Sequence, residues 1–231
     1  MREHILQTTG LDNSSGRTLE VGCGTGAILQ SLQGSSSSSL YGLDHTFKYL
    51  QETQTNTAGA RLTCGDAYHL PFVSGSMDGA LCHFLLLWLA DPAQALGEMR
   101  RVVKSGGWII SLAEPDHSGR IDHPAALQKL GEYQTSALRQ QGANPSIGRS
   151  LRGLFAQAGL QDIQAGLISG HWDNAFDVSS WQQEWETLHA DLEDSLPQDE
   201  LQDLKAIDRA AWQSGERILY VPTFYAWGQV P

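Results

Sequence analysis

Short apolar segments alternate with helix-type segments along the first half of the chain, and this alternation limits the folds that the chain can adopt. The strand-like segments are residues 17–22, 40–44, 61–64, 77–82 and 108–113. The helix-type segments between them are residues 26–32, 47–52 and 92–104. Strand–helix alternation of this kind predicts a mostly parallel sheet with helices on both faces. We therefore expect an α/β fold.

The alternation is less regular after residue 114. Helices are predicted at residues 124–141, 147–158, 176–192 and 198–213, and strands at residues 160–169 and 217–230. A length of 231 residues suits one large α/β domain better than two independent cores. We interpret residues 1–231 as a single domain, with a ligand-binding core at about 17–114 and helical cap insertions at about 115–158 and 173–214.

Composition and charge argue against several classes of protein. The net charge of −11 disfavours a nucleic-acid partner, because phosphate binding requires a basic surface. No run approaches the roughly 20 apolar residues of a membrane span, and the segment after Met1 lacks the apolar stretch of a secretory signal. Cys23, Cys64 and Cys82 are too few and too scattered for a disulfide framework or a zinc site. We expect a cytoplasmic protein without a metal or a membrane partner.

The segment LEVGCGTG, residues 19–26, joins the first predicted strand to the first helix. Glycines at such a turn let a ligand approach the backbone closely, and the start of the helix offers unpaired N–H groups. By itself this segment is ambiguous. Gly22, Gly24 and Ala27 also satisfy the spacing of the dinucleotide fingerprint, so a nicotinamide-dependent oxidoreductase is one alternative.

Three carboxylates distinguish between the possible ligands. Glu20 precedes the first glycine and would repel a pyrophosphate, whereas it suits a ligand with an ammonium group. Asp44 ends the second predicted strand, where a carboxylate can accept both ribose hydroxyls. Asp66 follows the third strand and can accept from an exocyclic amine such as that of adenine. Ribose, adenine and a cationic amino acid without phosphate describe S-adenosylmethionine.

The same segments carry a family resemblance. Residues 19–26, 43–44, 65–72, 77–78 and 100–107 occur in the order typical of class I S-adenosylmethionine-dependent methyltransferases. The chain resembles in particular the methyltransferase type 11 group, which is related to the ubiquinone/menaquinone C-methyltransferases. The resemblance covers roughly residues 17–114. It implies a seven-stranded sheet of order 3-2-1-4-5-7-6, with the last strand antiparallel.

The resemblance also implies a reaction and roles for individual residues. A methyl group would pass from S-adenosylmethionine to a small-molecule acceptor, leaving S-adenosylhomocysteine. The glycine turn and Glu20 would hold the amino-acid portion, Asp44 the ribose, and Asp66 the adenine. The implied cofactor-binding residues are Glu20, Gly22, Cys23, Gly24, Gly26, Asp44, His45, Asp66, Ala67 and His83. A protein that binds the cofactor without transferring methyl groups is the second alternative.

Catalytic candidates follow the fourth and fifth predicted strands, whose carboxyl ends face the ligand crevice in open α/β sheets. Methyl transfer needs a base only when the acceptor arrives protonated. We select His83, Glu114 and His117 for this role, with Asp116 and His123 as further polar groups in the same segment. For each histidine the alternative is a solvated loop residue.

The predicted cap contains two tryptophans, Trp181 and Trp185, one helical turn apart. They pack in the core of the cap, or they form an aromatic roof over an uncharged or cationic small molecule. We expect residues 176–213 to lie over the carboxyl ends of the fourth and fifth strands and to help form the acceptor pocket.

Overall fold

The computed structural model describes residues 16–33, 39–170, 177–192 and 196–231. Its strands are β1 (Arg17–Val21), β2 (Ser39–Asp44), β3 (Arg61–Cys64), β4 (Met77–Cys82), β5 (Val103–Pro115), β6 (Ile121–His123), β7 (Gln161–Ile168), β8 (Ile218–Tyr220) and β9 (Thr223–Gln229). Its α-helices are α1 (Ala27–Gln33), α2 (Phe47–Asn56), α3 (Pro92–Val102), α4 (Gln128–Gln140), α5 (Leu151–Gln157), α6 (Val178–Leu192) and α7 (Gln198–Ser214). None of these helices combines the length and the apolar character needed to cross a membrane.

Seven strands form the main sheet in the order β3-β2-β1-β4-β5-β9-β7. The first five strands along the chain pair in parallel, and β9 pairs antiparallel with both β5 and β7. The two short strands β6 and β8 form a separate sheet. When only the main-sheet strands are numbered, the order is the predicted 3-2-1-4-5-7-6. The parallel strands bring their carboxyl ends to one edge, and this edge carries the site.

Apolar side chains alternate between the two faces of the sheet, as the period of two in a strand requires. Ile109 belongs to the core that includes α3 and α5, whereas its neighbour Ile110 belongs to the core that includes α1. Leu96 and Phe155 are fully buried on the first face, and Leu29 on the second. The predicted α/β fold with helices on both faces is confirmed.

A third apolar core lies inside the cap and not on the main sheet. It gathers side chains from α4, α6 and α7 and from the residues just before α4 and α7: Leu127, Leu130, Ala137, Trp181, Trp185, Leu188, Leu192, Leu196, Leu201 and Leu204. Trp181 and Trp185 are 7% and 2% exposed, and both indole N–H groups donate to Asp208 Oδ2, at 2.6 and 2.8 Å. Of the two interpretations of these tryptophans, the structure supports core packing. The aromatic roof is wrong, because both rings are enclosed by the helices of the cap.

Buried charges join the cap to the small sheet. Arg217 donates from Nε to Asp208 at 2.6 Å and from Nη2 to Asp122 at 2.7 Å. Asp122 also accepts from Arg120, at 2.6 and 3.0 Å. The four side chains are between 1% and 5% exposed. We call Arg120, Asp122, Asp208 and Arg217 the cap ion network.

Several predicted boundaries differ from those in the structure, and two of the differences have identifiable reasons. The helix predicted to end at residue 104 ends at Val102, because Val103 already pairs with Met77 in the sheet. The single strand predicted at residues 217–230 is two strands, β8 and β9, separated by Val221 and Pro222. Proline has no N–H group for a continuous ladder, so the chain changes sheets there. The predicted cap residues 173–176 and 193–195 lie outside the described residues.

Candidate active site

The turn between β1 and α1 is held open by glycines. Gly22, Gly24 and Gly26 have φ values of 72°, 50° and 86°, in the left-handed region that favours glycine. A Cβ on Gly26 would lie 2.6 Å from Thr53 Cγ2, so this glycine is also required for close packing against α2. A Cβ on Gly24 would meet nothing within 4 Å, so the backbone here borders open space where a ligand can approach.

Asp44, at the end of β2, fixes the shape of this turn. Its Oδ2 accepts from the Gly24 N–H at 2.9 Å, and its Oδ1 accepts from the Thr46 N–H at 2.8 Å. Thr53 secures the turn from α2, because its hydroxyl donates to the Gly24 carbonyl at 2.6 Å. A carboxylate has about four lone-pair directions, so Asp44 can still accept from ribose hydroxyls. Thr53 was not predicted, since its role depends on how α2 packs.

Glu20 lies in β1 beneath the glycine turn and is 2% exposed. Its Oε2 atom has no hydrogen-bond partner among the described residues. Burial raises the pKa of Glu20 to about 8, and the nearby Asp44 carboxylate adds to the effect. A buried acceptor without a donor is costly unless a ligand supplies the donor. An ammonium group would satisfy it, so this site fits the amino-acid portion of S-adenosylmethionine.

The remaining predicted cofactor residues lie at the same edge of the sheet. Gly65 donates its N–H to the Asp44 carbonyl at 3.0 Å, which brings the β3 end beside the β2 end. Asp66 Oδ1 accepts from the Tyr68 N–H at 2.9 Å, and the side chain is 56% exposed. Ala67 is buried and His45 is exposed. Asp66 thus shapes a local turn and keeps acceptor capacity toward solvent.

Glu114 has a position different from the one that a base would need. The side chain is completely buried at the end of β5, and it accepts backbone N–H groups from Leu85 and Leu86 at 2.9 and 2.8 Å, and from Leu87 at 3.2 Å. Burial raises its pKa to about 7. In this structure Glu114 therefore holds the turn after β4 from below, and it does not face the cavity described next.

The chain directly after β4 is strained. Phe84 has φ of 50°, which is unusual for a bulky residue, and its N–H donates to the Ala113 carbonyl at 3.0 Å. Its ring contacts that of His83, with centroids 4.3 Å apart. Strain of this kind is found most often at functional sites. Here it turns the chain outward and leaves Phe84 45% exposed.

Phe84 borders a cavity of about 320 Å³ beyond the ends of β4 and β5, within the size range of small-molecule pockets. Helices α4 and α6 of the cap contribute to its lining. Its lining residues are Phe84, Leu87, Trp88, Pro115, His117, Gln134, Leu138, Thr187, Asp191, Val221 and Thr223. Of the segment 176–213 that was expected to cover these strand ends, Thr187 and Asp191 of α6 line the cavity, and no residue of α7, which the structure describes in full, is among its lining residues.

His117 is the predicted catalytic residue that reaches this cavity. Its Nδ1 atom is buried and has no hydrogen-bond partner among the described residues. Burial and the nearby Arg120 lower its pKa, while the Asp191 and Asp116 carboxylates act in the opposite direction. Asp116 itself is paired with Arg149, with 2.9 Å between Oδ1 and Nη2. His123 lies in β6, 3.4 Å from Glu216, and does not line the cavity.

Comparisons with known proteins agree with this geometry. Residues 19–111 match the family described as a methyltransferase domain. A demethylmenaquinone methyltransferase from Staphylococcus epidermidis is 29% identical over 191 residues, covering 73% of this chain and 77% of that protein. An uncharacterized 37.1 kDa protein in a transposon of Streptomyces fradiae is 35% identical over 148 residues, covering 62% of this chain. The matched region is 42% of the Streptomyces protein.

A solved structure shares the fold. Phosphoethanolamine N-methyltransferase 2 from Haemonchus contortus, in complex with phosphomonomethylethanolamine and S-adenosylhomocysteine, has a TM-score of 0.64 and 16% sequence identity. The comparison covers 99% of this chain and 52% of that chain. The match over residues 19–111 and the demethylmenaquinone methyltransferase relative show that this chain carries a methyltransferase domain of the S-adenosylmethionine-dependent class. Within that class, the matched segment is similar to the methyltransferase type 11 group, and the solved structure shows that the chain has the class I fold.

Replacing Asp44 by alanine is expected to weaken S-adenosylhomocysteine binding by about 1.5–3 kcal/mol, the scale for hydrogen bonds to a charged group. The variant loses the acceptor for the Gly24 N–H and the acceptor proposed for the ribose. Isothermal titration calorimetry on the folded variant measures the change. Asp91→Ala is the control, since Asp91 caps α3 by accepting from Gln94 at 3.0 Å, away from the turn. An unchanged dissociation constant for Asp44→Ala would exclude Asp44 from the site.

Proposed function

We propose that this protein transfers a methyl group from S-adenosylmethionine to a small molecule bound in the cavity beyond β4 and β5. The observation that carries the proposal is Glu20, a buried carboxylate beneath an open glycine turn, whose Oε2 atom has no hydrogen-bond partner among the described residues. The residues 17–114 bind the cofactor, and the cap completes the acceptor cavity within one domain of residues 1–231. S-adenosylmethionine, when bound, supplies a methyl group activated on a sulfonium.

The cofactor is held along the carboxyl ends of β1 to β4. Glu20 and the turn of Gly22, Cys23, Gly24 and Gly26 would hold the amino-acid portion. Asp44 would bind the ribose, Asp66 and Ala67 would hold the adenine edge, and His45 would lie near the adenine. His83, which follows β4, would lie near the transferable methyl group. Because β4 lies between β1 and β5 in the sheet, this path leads from Glu20 directly to the cavity.

The protein promotes the reaction mainly by alignment. Methyl transfer from a sulfonium is an in-line displacement, so holding the acceptor opposite the methyl group and excluding water are the main requirements. Leu87, Leu138 and Val221 provide an apolar wall for this purpose. Glu114 contributes indirectly, because it fixes the turn that carries Leu87.

His117 is the base when the acceptor arrives protonated. Its lowered pKa keeps the imidazole neutral at neutral pH, so that it can receive a proton. The proton goes to a ring nitrogen of His117, then to solvent after transfer. An acceptor without such a proton needs only the alignment described above.

Calorimetry and a transfer assay together test the proposal. We expect S-adenosylhomocysteine to bind the full chain. We expect no binding of reduced nicotinamide adenine dinucleotide. We also expect methyl transfer from labelled S-adenosylmethionine to a member of a panel of small amines, phenols, thiols and carbon acids. Binding of the nicotinamide cofactor in place of S-adenosylhomocysteine would contradict the proposal. Cofactor binding without turnover across the panel would favour a protein that binds S-adenosylmethionine without transferring its methyl group.

A further inference from the structure

The lining of the acceptor cavity combines apolar, aromatic and negatively charged side chains. Most of its wall is apolar, and Asp191 is the sole carboxylate among the residues that line it in the described part of the chain. Phe84 and Trp88, 45% and 48% exposed, provide two aromatic side chains on the same wall. A carboxylate together with aromatic rings is the combination that recognises an organic cation.

Asp191 is held in place by a neutral side chain. Gln134 Nε2 donates to Asp191 Oδ2 at 3.1 Å, and Gln134 Oε1 accepts from Arg120 Nη1 at 2.6 Å. Gln134 thus bridges the Asp191 carboxylate and the Arg120 guanidinium. Arg120 is itself occupied by Asp122, at 2.6 and 3.0 Å. The negative charge of Asp191 is therefore oriented by Gln134 and is not cancelled by a direct ion pair with Arg120.

We propose that the methyl acceptor is an amine with an apolar, ring-sized body, whose ammonium group is bound by Asp191 and whose body lies against Phe84 and Trp88. This inference rests on the proposed methyl transfer. It names a specificity-determining residue on α6 and a class of acceptor.

Methylation of an ammonium acceptor begins with the loss of a proton. An ammonium has no lone pair, so it first gives one proton to the neutral imidazole of His117. The freed nitrogen lone pair then forms a bond to the methyl carbon. The bond between that carbon and sulfur breaks, and its electron pair stays on sulfur. The methylated amine carries the positive charge, S-adenosylhomocysteine leaves, and His117 releases its proton to solvent.

Matched probes test the charge preference directly. We would titrate the full chain with 2-phenylethylamine, 2-phenylethanol and phenylacetate, which share one ring and differ in charge, in the presence and absence of S-adenosylhomocysteine. The ammonium probe should bind about tenfold or more tightly than the alcohol, the scale of one charge-assisted hydrogen bond, and phenylacetate should bind most weakly. Asp191→Asn should remove the preference. Glu186→Gln is the matched control, because it removes one negative charge from the same helix at an exposed position outside the cavity.

Equal or tighter binding of the alcohol or the acid would overturn the inference. So would failure of the amine to bind, or a preference that survives in Asp191→Asn. The proposed function fails by a different result, namely absence of S-adenosylhomocysteine binding in the same instrument. Because the probes are also titrated without S-adenosylhomocysteine, the amine preference is measured in either case. Asp191→Asn should retain the wild-type affinity for S-adenosylhomocysteine, which shows that the variant is folded.

Discussion

Replacing Glu20 by glutamine is expected to weaken S-adenosylhomocysteine binding by about 1.5–3 kcal/mol and to stabilise the ligand-free protein at alkaline pH. The first effect follows from loss of the carboxylate that the ammonium group needs. The second follows from burial, which raises the pKa of Glu20 to about 8 in the folded protein from a usual value of 4.5.

The direction of the pH effect follows from proton binding. Between pH 4.5 and 8 the folded protein holds a proton on Glu20 that the unfolded chain releases. The stability that this bound proton contributes is complete below the pKa of Glu20 in the unfolded chain. It is lost as the pH rises through the pKa of Glu20 in the folded protein. Glutamine does not ionise, so the variant avoids this loss. We expect the gain in the free energy of unfolding to grow over this range and to reach on the order of 5 kcal/mol above pH 8, since each unit of pKa difference corresponds to about 1.4 kcal/mol.

Two measurements distinguish the effect of Glu20→Gln on stability from its effect on S-adenosylhomocysteine binding. Urea denaturation at several pH values gives the stability difference, with Glu52→Gln as a control because Glu52 is exposed on α2. Calorimetry in buffers of different ionisation enthalpy gives the protons released on binding. At pH 7 the wild type should release protons from Glu20 when the ammonium group binds, and Glu20→Gln should not. A variant that binds as tightly as the wild type would remove Glu20 from the cofactor site.

Arg217→Met should produce the largest loss of stability, about 3–5 kcal/mol, the scale for breaking a buried ion pair by removing one partner. Arg217 is 1% exposed and contacts Asp208 and Asp122 at 2.6 and 2.7 Å. Methionine fills part of the space but leaves both carboxylates with fewer donors. Asp208 keeps only the neutral indole donors of Trp181 and Trp185 among the contacts described above, whereas Asp122 keeps its ion pair with Arg120.

Equilibrium unfolding of the full chain measures this loss. The control is Arg209→Met, since Arg209 is exposed on α7 and its guanidinium lies 5.7 Å from the Trp181 ring. We expect a change below about 1 kcal/mol there. The double variant Arg217→Met with Asp208→Asn should lose less than the sum of the single losses, because contacting residues couple. A loss below about 1 kcal/mol for Arg217→Met would mean that the cap ion network does not hold the cap together.

The α/β core and the position proposed for the cofactor site could both be predicted from the sequence alone. The alternation of apolar and polar side chains along a strand is a local property of the sequence. For this reason β3 and β4 have the predicted bounds. The glycines of residues 22–26 permit the positive φ values that the turn needs, and this property can be read from the local sequence. Parallel pairing then places Glu20, Asp44 and Asp66 at one edge without further information.

The directions of several polar and aromatic side chains depend on tertiary packing and could not be predicted from the sequence. Glu114 lies beneath the turn after β4, Trp181 and Trp185 lie in the cap core, and Asp191 lines the cavity. Their sequence neighbourhoods do not distinguish a buried contact from a ligand contact, because the partners are distant in the chain. Gln134, for example, reaches Asp191 across 57 residues. Such contacts depend on how the helices of the cap pack, and that packing is set by the whole chain at once.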